Sequence, residues 1–406
     1  MNDFKLLSLY YIQKQMINID KVPHFIKYMG SKREILDYIN TSITELNIQS
    51  EWLCDLFAGT SVISGALKND FNIHSNDIQT YSSIFAQTYF SNCKNRFNPI
   101  NLDTIYNKVI QLVDEFYKKG LDLRFDYINA SSYNEMFEAE TKQRELISSH
   151  FDIGFNLFTK YYSGTYWSFE QCVWIDSIRA IAEEYQGSLE YYMIMSSLIF
   201  AMSYASQSTG HFAQYRDITT SNMNDILIYR KKDIWILFER KFNEIVDVLD
   251  EDPQKTHRIT SLDYVDCLRI VNEGSIVYAD PPYSNVHYSR FYHAIETLVK
   301  YDHPIVKYKG RYREDRHQSP FDKTKEVQDA FTLLFKGVKN TKSHLLLSYS
   351  DNGMITQDKI LAIGHNVFGT QYEVNVQTKD YLHSKMGRSD EYQMDVKELI
   401  MSFKRI

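Results

Sequence analysis

The sequence predicts an α/β protein: an open, mostly parallel sheet with a terminal antiparallel strand, interrupted by a large helical insertion. Three observations predict it. A short apolar strand, Trp52 to Phe57, runs into a glycine turn and then a helix. A second strand, Ser275 to Ala279, runs into Asp280-Pro281-Pro282-Tyr283 much further along. Between them, apolar residues recur at helical spacing and do not alternate.

The elements follow in order. The α/β signal covers about Lys21 to Asn92. After the first strand, Ser61 is placed to cap a helix reaching Leu67. Asn72 to Ser75 is a weaker strand ending at Asn76-Asp77, and a helix from Ile78 to Tyr89 follows. Amphipathic stretches then fill the middle: Leu102 to Phe116, Ser168 to Ala182, Leu189 to Ala205 and Asp233 to Leu249. Aromatic loops lie among them, around Tyr161-Tyr162, Tyr166-Trp167 and Gly210-His211-Phe212. The α/β signal returns at about Ile259. His344 to Ser348 is continuously apolar, as a strand buried on both faces should be. Tyr372 to Gln377 and Glu398 to Phe403 read as a terminal antiparallel pair.

Composition bounds the functional classes. The 406 residues are 44% hydrophobic and 24% charged, a globular balance with room for more than one module. With 15 Gly and 7 Pro, long disordered linkers are not expected. The net charge of −7 announces no nucleic-acid partner, so any phosphate-facing charge must be local. Cys54, Cys93, Cys172 and Cys267 are far apart and form no C-x-x-C, so neither a disulfide framework nor a metal site is expected. Leu6 to Ile12 is a poor signal peptide, and Tyr191 to Ala205 is too short to span a bilayer. A cytoplasmic protein without membrane contact is the expectation.

Four motifs carry chemistry. Asp280-Pro281-Pro282-Tyr283 follows a buried strand, and ligands of open α/β sheets bind beyond such strand ends. Prolines end the ladder and leave carbonyl acceptors without amide donors between them. A carboxylate, rigid carbonyls and an aromatic face suit a planar base bearing an amine; a Pro-Pro turn capping a strand is the plainer alternative. Asp55-Leu56-Phe57-Ala58-Gly59-Thr60 places a glycine where backbone can approach a ligand, ahead of a helix N-terminus. Asp77 stands where an acidic residue can hold ribose hydroxyls, or can cap the next helix. In Lys27-Tyr28-Met29-Gly30-Ser31-Lys32, Ser31 can cap a helix from Lys32 to Ile39, and Lys32 can reach a carboxylate or phosphate.

K-Y-M-G-S-K, D-L-F-A-G-T, N-D, then a D-Y pair ahead of D-P-P-Y, in that order, resembles the Dam-like alpha group of adenine-N6 DNA methyltransferases. The likeness covers residues 21 to 92 and 259 to 350. It implies a Rossmann-like methyltransferase sheet formed by residues 1–92 and 259–406, with 93–258 as the target-recognition insertion. It implies S-adenosylmethionine as cofactor, held by Tyr28, Gly30, Lys32, Asp55, Phe57 and Gly59, with Asp77 on the ribose. Asp263-Tyr264 would flank the cofactor adenine, and Asp280 to Tyr283 would hold a flipped target adenine in duplex DNA. No metal is implied. The family's turn carries a second glycine where this chain has Ser61, which points to altered cofactor affinity at most.

A basic-aromatic run follows the catalytic motif: Lys307, Lys309, Arg311 and Arg313 around Tyr308 and Tyr312, then Arg316 and His317. Such a loop near the site suits phosphate contacts. His383 to Arg388 is a weaker candidate, and the loops at Tyr166 and His211 are candidate base readers. A cognate restriction endonuclease is a possible partner. RNA adenine methylation and a non-catalytic DNA-binding regulator are the competing readings. An N-P-P-Y would suit other amine substrates; Asp280 favours adenine in DNA.

Overall fold

The computed structural model describes residues 17–119, 121–208, 211–250, 254–283, 285, 287–381 and 396–406. Its sheet is built from β1 (Trp52–Asp55), β2 (Asn72–Asn76), β3 (Arg258–Thr260), β4 (Ile276–Ala279), β7 (His344–Ser350), β8 (Tyr372–Tyr381) and β9 (Val396–Arg405). Their spatial order is β3-β2-β1-β4-β7-β9-β8. The first five are parallel, and β9 runs antiparallel to both β7 and β8. β5 (Val306–Lys307) and β6 (Tyr312–Arg313) form a separate small hairpin. The edge strand β3 and this hairpin are too short to leave a period in the sequence.

Side chains alternate across the central strands as a pleat requires. Leu53, Ile276, Tyr278 and Leu346 enter the core on one face; Cys54, Val277, Ala279, Leu345 and Leu347 enter the core on the other. The second face is covered by Val327–Asn340 and Gln357–Phe368. The first is covered by Thr80–Ser91 and Tyr288–Lys300, and by helices of the middle block. That block is helical as expected: Leu102–Lys118, Phe169–Glu183, Leu189–Ala205 and Ile234–Asp247. Leu189–Ala205 is buried almost throughout, which explains why its apolar residues cover every face.

The middle block leaves and rejoins the sheet domain at one place. Cys93 and Asp250 form a parallel bridge, Lys94 N donates to Asp250 O, and Asp250 N donates to Asn92 O. Its large apolar side chains merge with the sheet's first core, while Tyr127, Met136, Ile218, Ile226 and Leu227 make a smaller cluster apart. Among the described residues no helix is long and apolar enough to cross a membrane.

Candidate active site

The carboxyl ends of β1, β2 and β4 converge, and turns leaving them are strapped to one another. Leu56 N donates to Tyr278 O at 3.0 Å and Ala58 N to Asn76 O at 2.9 Å. Asp55, buried at the end of β1, accepts from Ser64 N and Ser64 Oγ at 3.2 and 2.7 Å. Burial pushes its carboxyl up to about 7. Gly59 has φ +52°, and a Cβ there would stand 2.9 Å from the Tyr28 hydroxyl. The position therefore needs glycine for both backbone and space.

Asp77 closes the turn. Its Oδ2 accepts from Gly59 N at 2.9 Å and its Oδ1 from Gln79 N at 2.8 Å. Burial raises it to about 6. It is not the helix cap: the helix starts at Thr80, and Gln79 occupies the cap position. Each carboxylate oxygen keeps a further lone pair. Ser61 also departs from expectation. It precedes the helix Val62–Leu67, but its side chain makes no cap bond and its φ is +53°. Its hydroxyl is instead buried, 3.3 Å from Ser82 Oγ and 3.4 Å from Ser75 Oγ. A left-handed backbone explains why glycine suits this position in the family the chain resembles.

The Tyr28–Lys32 segment crosses the same opening. Tyr28 stacks on Tyr292 at 4.5 Å, and Gly30, with φ +76°, passes close to the Tyr288 and Tyr283 hydroxyls. Ser31 Oγ accepts from Arg33 N, as a cap does, but the first turn is 3₁₀ and the α-helix begins at Leu36. Lys32 is buried. Its ammonium lies 3.1 Å from Asp280 Oδ1 and 2.7 Å from Glu398 Oε1. Burial pulls it toward deprotonation, but Asp280 and Glu398 outweigh that and hold it charged.

Asp280 leaves β4 at the centre of the sheet. Burial lifts its carboxyl to about 7, against the pull of Lys32. Its Oδ1 is buried and, despite the nearby ammonium, has no well-aligned hydrogen bond. A carboxylate has acceptor sites on both oxygens, so a single ammonium does not fill it. Tyr283 O accepts from Met354 N at 3.2 Å, which fixes the backbone after the prolines. The Tyr283 ring meets the edge of Tyr349 at 6.1 Å. On the far side, Asp263 Oδ1 accepts from Val265 N at 2.9 Å, and the Tyr264 ring packs near Phe57 and Phe321 at 5.8 and 5.2 Å.

One cavity, about 1010 Å³ with the solvent at its mouth, is lined by all of these: Tyr28, Gly30 and Lys32; Asp55, Phe57 and Gly59; Asp77; Asp263 and Tyr264; Asp280, Pro281, Pro282 and Tyr283. Five segments separated in sequence thus meet. Two acidic residues join them unannounced by any motif. Asp322 lines the cavity, pairs with His287 Nδ1 at 2.9 Å and leaves Oδ1 buried without a hydrogen bond. Glu398 stands behind Lys32.

The basic run needs correction. Arg311 and Arg313 are buried and do not face solvent. Arg313 is gripped by Asp302 at 2.6 and 2.8 Å and by Asp315 at 2.8 and 3.0 Å. Arg311 donates to the carbonyls of Tyr161 and Arg144. These guanidiniums satisfy acceptors of the fold. Lys307 and Lys309 are exposed but paired with Glu314 and Asp217. Arg316, partly exposed, lies over the Tyr312 ring, and His317 lines the cavity. Tyr166, expected in a reading loop, is fully buried with its hydroxyl on the carbonyls of Phe212 and Gly310. His211 is half-buried against Phe291. His383 to Arg388 lies outside the described residues.

Sequence spacing also hid a cluster behind the turn. Cys54, His74 and Cys267 bring their ligand atoms within 4.8 Å of one another, all buried. Thr260 Oγ1 donates to Asn76 Oδ1 at 2.7 Å, so at 2.9 Å it accepts from a protonated His74 Nε2. That chain satisfies Nε2, while His74 Nδ1 is buried without a hydrogen-bond partner.

The model of the D12 class N6 adenine-specific DNA methyltransferase family matches residues 28–345. The chain is 25% identical over 364 residues to modification methylase LlaI of Lactococcus lactis subsp. lactis, covering 88% of this chain and 51% of that protein. It is 27% identical over 351 residues to type II methyltransferase M.FokI of Planomicrobium okeanokoites, covering 83% and 46%. With type II methyltransferase M.NlaIII of Neisseria lactamica the identity is 20% over 348 residues, covering 83% and 87%. The chain thus spans about half the length of the first two relatives and most of the third.

Proposed function

Since this chain belongs to the D12 class of N6 adenine-specific DNA methyltransferases, we propose that it methylates the exocyclic amine of an adenine within a specific site in duplex DNA. The observation that carries the reading is the meeting of Asp280, Pro281, Pro282 and Tyr283 with the Gly59 turn and Asp77 in one cavity. The pocket suits S-adenosylmethionine: the space beside Gly59 is closed to a Cβ, and buried carboxylate oxygens keep free lone pairs. Gly30, Phe57, Gly59, Asp77, Asp263 and Tyr264 would hold it. When bound, it supplies a methyl group on a sulfonium.

The chain's own residues act on the amine. Asp280 and the Pro281 carbonyl accept hydrogen bonds from its two N–H groups and direct the nitrogen lone pair away from the ring; one of those protons leaves once the nitrogen is methylated. Positive charge grows on that nitrogen, so a fixed carboxylate stabilises the transition state more than the ground state. A base inside a duplex is out of reach and must be flipped, at a cost of about a few kcal/mol. Tyr283 offers a face on which it stacks. Lys32, assigned above to the cofactor by resemblance, serves Asp280 in this reading.

DNA would lie across the mouth, with Arg316 and His317 nearest the cavity. Lys307 and Lys309 would exchange exposed carboxylate partners for phosphates, since such surface pairs are worth only about 0–1 kcal/mol. Residues 93–258 would read sequence. A restriction endonuclease of matching specificity is a fitting partner, and the cytoplasm the fitting compartment. Transfer of radiolabelled methyl groups to duplex DNA, with RNA of the same sequence as comparison, tests the reading. Label in N6-methyladenine of the duplex is expected; label in RNA alone, or none, overturns it.

A further inference from the structure

β9 is the strand that completes the site from behind. It lies between β7 and β8, with Glu398 opposite Ser350 of β7. The Glu398 side chain is fully buried. Its Oε1 accepts from Lys32 Nζ at 2.7 Å and from Ser348 Oγ. Its Oε2 is buried with no hydrogen-bond partner. A buried carboxylate half-satisfied in this way costs stability, and an apolar residue would pack there more cheaply.

What the carboxylate does is divide a cation. The same Lys32 ammonium is 3.1 Å from Asp280 Oδ1, the longer of its two ion pairs. Two carboxylates therefore share one positive charge, and the nearer share goes to Glu398. A lysine released from Glu398 would close further on Asp280 and take up more of its acceptor capacity. We propose that Glu398 is a positioning residue for methyl transfer: it holds Lys32 back so that Asp280 is fixed in place yet keeps acceptor capacity for the target amine. The inference rests on the methyltransferase reading above.

The groups facing Asp280 are few. They are Lys32 from the first 3₁₀ turn, Glu398 from β9, Asp55 from β1, Tyr278 from β4, and Tyr283 and Tyr288 beyond the prolines. Glu398 raises the Asp280 carboxyl and Lys32 lowers it. Removing the Glu398 charge, and letting Lys32 approach, shifts it downward on both counts.

The test is single-turnover methylation of duplex DNA across pH, with S-adenosylmethionine affinity and melting temperature measured alongside. Glu398→Gln should lower the plateau rate about tenfold or more and move the acid limb to lower pH. Cofactor affinity should stay within about twofold. Glu398→Asp keeps the charge and should keep the limb. Ser348→Ala removes a competing donor, draws Lys32 further toward Glu398, and should move the limb the opposite way; it also serves should Glu398→Gln fold poorly. An unmoved limb in folded Glu398→Gln and Ser348→Ala overturns the inference while leaving the methyltransferase reading intact. Rate losses that merely follow melting temperature, equal in Gln and Asp, overturn it too. If the unaltered chain methylates no DNA, both fall together.

Discussion

Asp280 carries the sharpest expectation at the scale of single residues. Asp280→Asn keeps the shape but loses a charge-assisted acceptor that strengthens as the amine becomes cationic. Single-turnover methylation should fall by about a hundred- to a thousandfold, an effect of the size seen when one such preorganised group is lost. The variant should melt no lower than the parent at pH 8, since it removes a buried charge and leaves Lys32 its Glu398 partner. Arg313 makes the contrasting case. Read as a phosphate contact it would set salt dependence; held by Asp302 and Asp315 it should instead set stability. Arg313→Ala is expected to cost about 2–3 kcal/mol in denaturant unfolding, with the salt slope of DNA binding unchanged. The difference shows what sequence could reveal. Asp280 announces itself because prolines and a strand surround it. The acidic partners of Arg313 include Asp302, which only the fold brings near. Glu398 carries no motif at all, and nothing in its neighbours points to Lys32.

Among elements, the glycine turn is the piece whose backbone limits what sequence it accepts. Gly59→Ala must adopt φ +52° with a side chain and push Tyr28 off its stack on Tyr292. The left-handed backbone alone costs about 1–2 kcal/mol, so cofactor affinity by calorimetry should drop about tenfold or more. Ser61→Gly, at φ +53°, relieves the same kind of strain and gives up only long contacts to Ser75 and Ser82. It should melt at or above the parent temperature and bind cofactor at least as well; a clear loss would show those hydroxyl contacts to be the stronger effect. The strands and long helices were legible because burial on one or both faces leaves a period in the sequence. The hairpin of β5 and β6 was not. Its strands are two residues each, and its basic residues are neutralised by neighbours that a run of Lys and Arg conceals.

For the whole molecule, the buried acids set opposite courses for activity and stability. Burial holds Asp55, Asp280 and Asp322 near 7 and Asp77 near 6. Unfolded, such groups titrate near 4, so between these values the folded state binds more protons. Stability therefore rises as pH falls from 8 toward 6.5, while turnover falls as Asp280 takes up a proton. Thermal melts of the free protein and single-turnover rates over that range should run in opposite directions. Further down, the half-buried neutral His24 and His257, lowered to about 4, act against the acids. The order of the sheet has a consequence in time as well as in space. Among the described strands β9 comes last in chain order, yet it lies not at an edge but between β7 and β8. As the chain leaves the ribosome, β8 has no strand beside it and Lys32 no Glu398 until β9 emerges. A copy still short of β9 would carry every motif the eye recognises, yet lack the carboxylate that, on the proposal above, holds Lys32 back from Asp280, so catalysis would wait on β9.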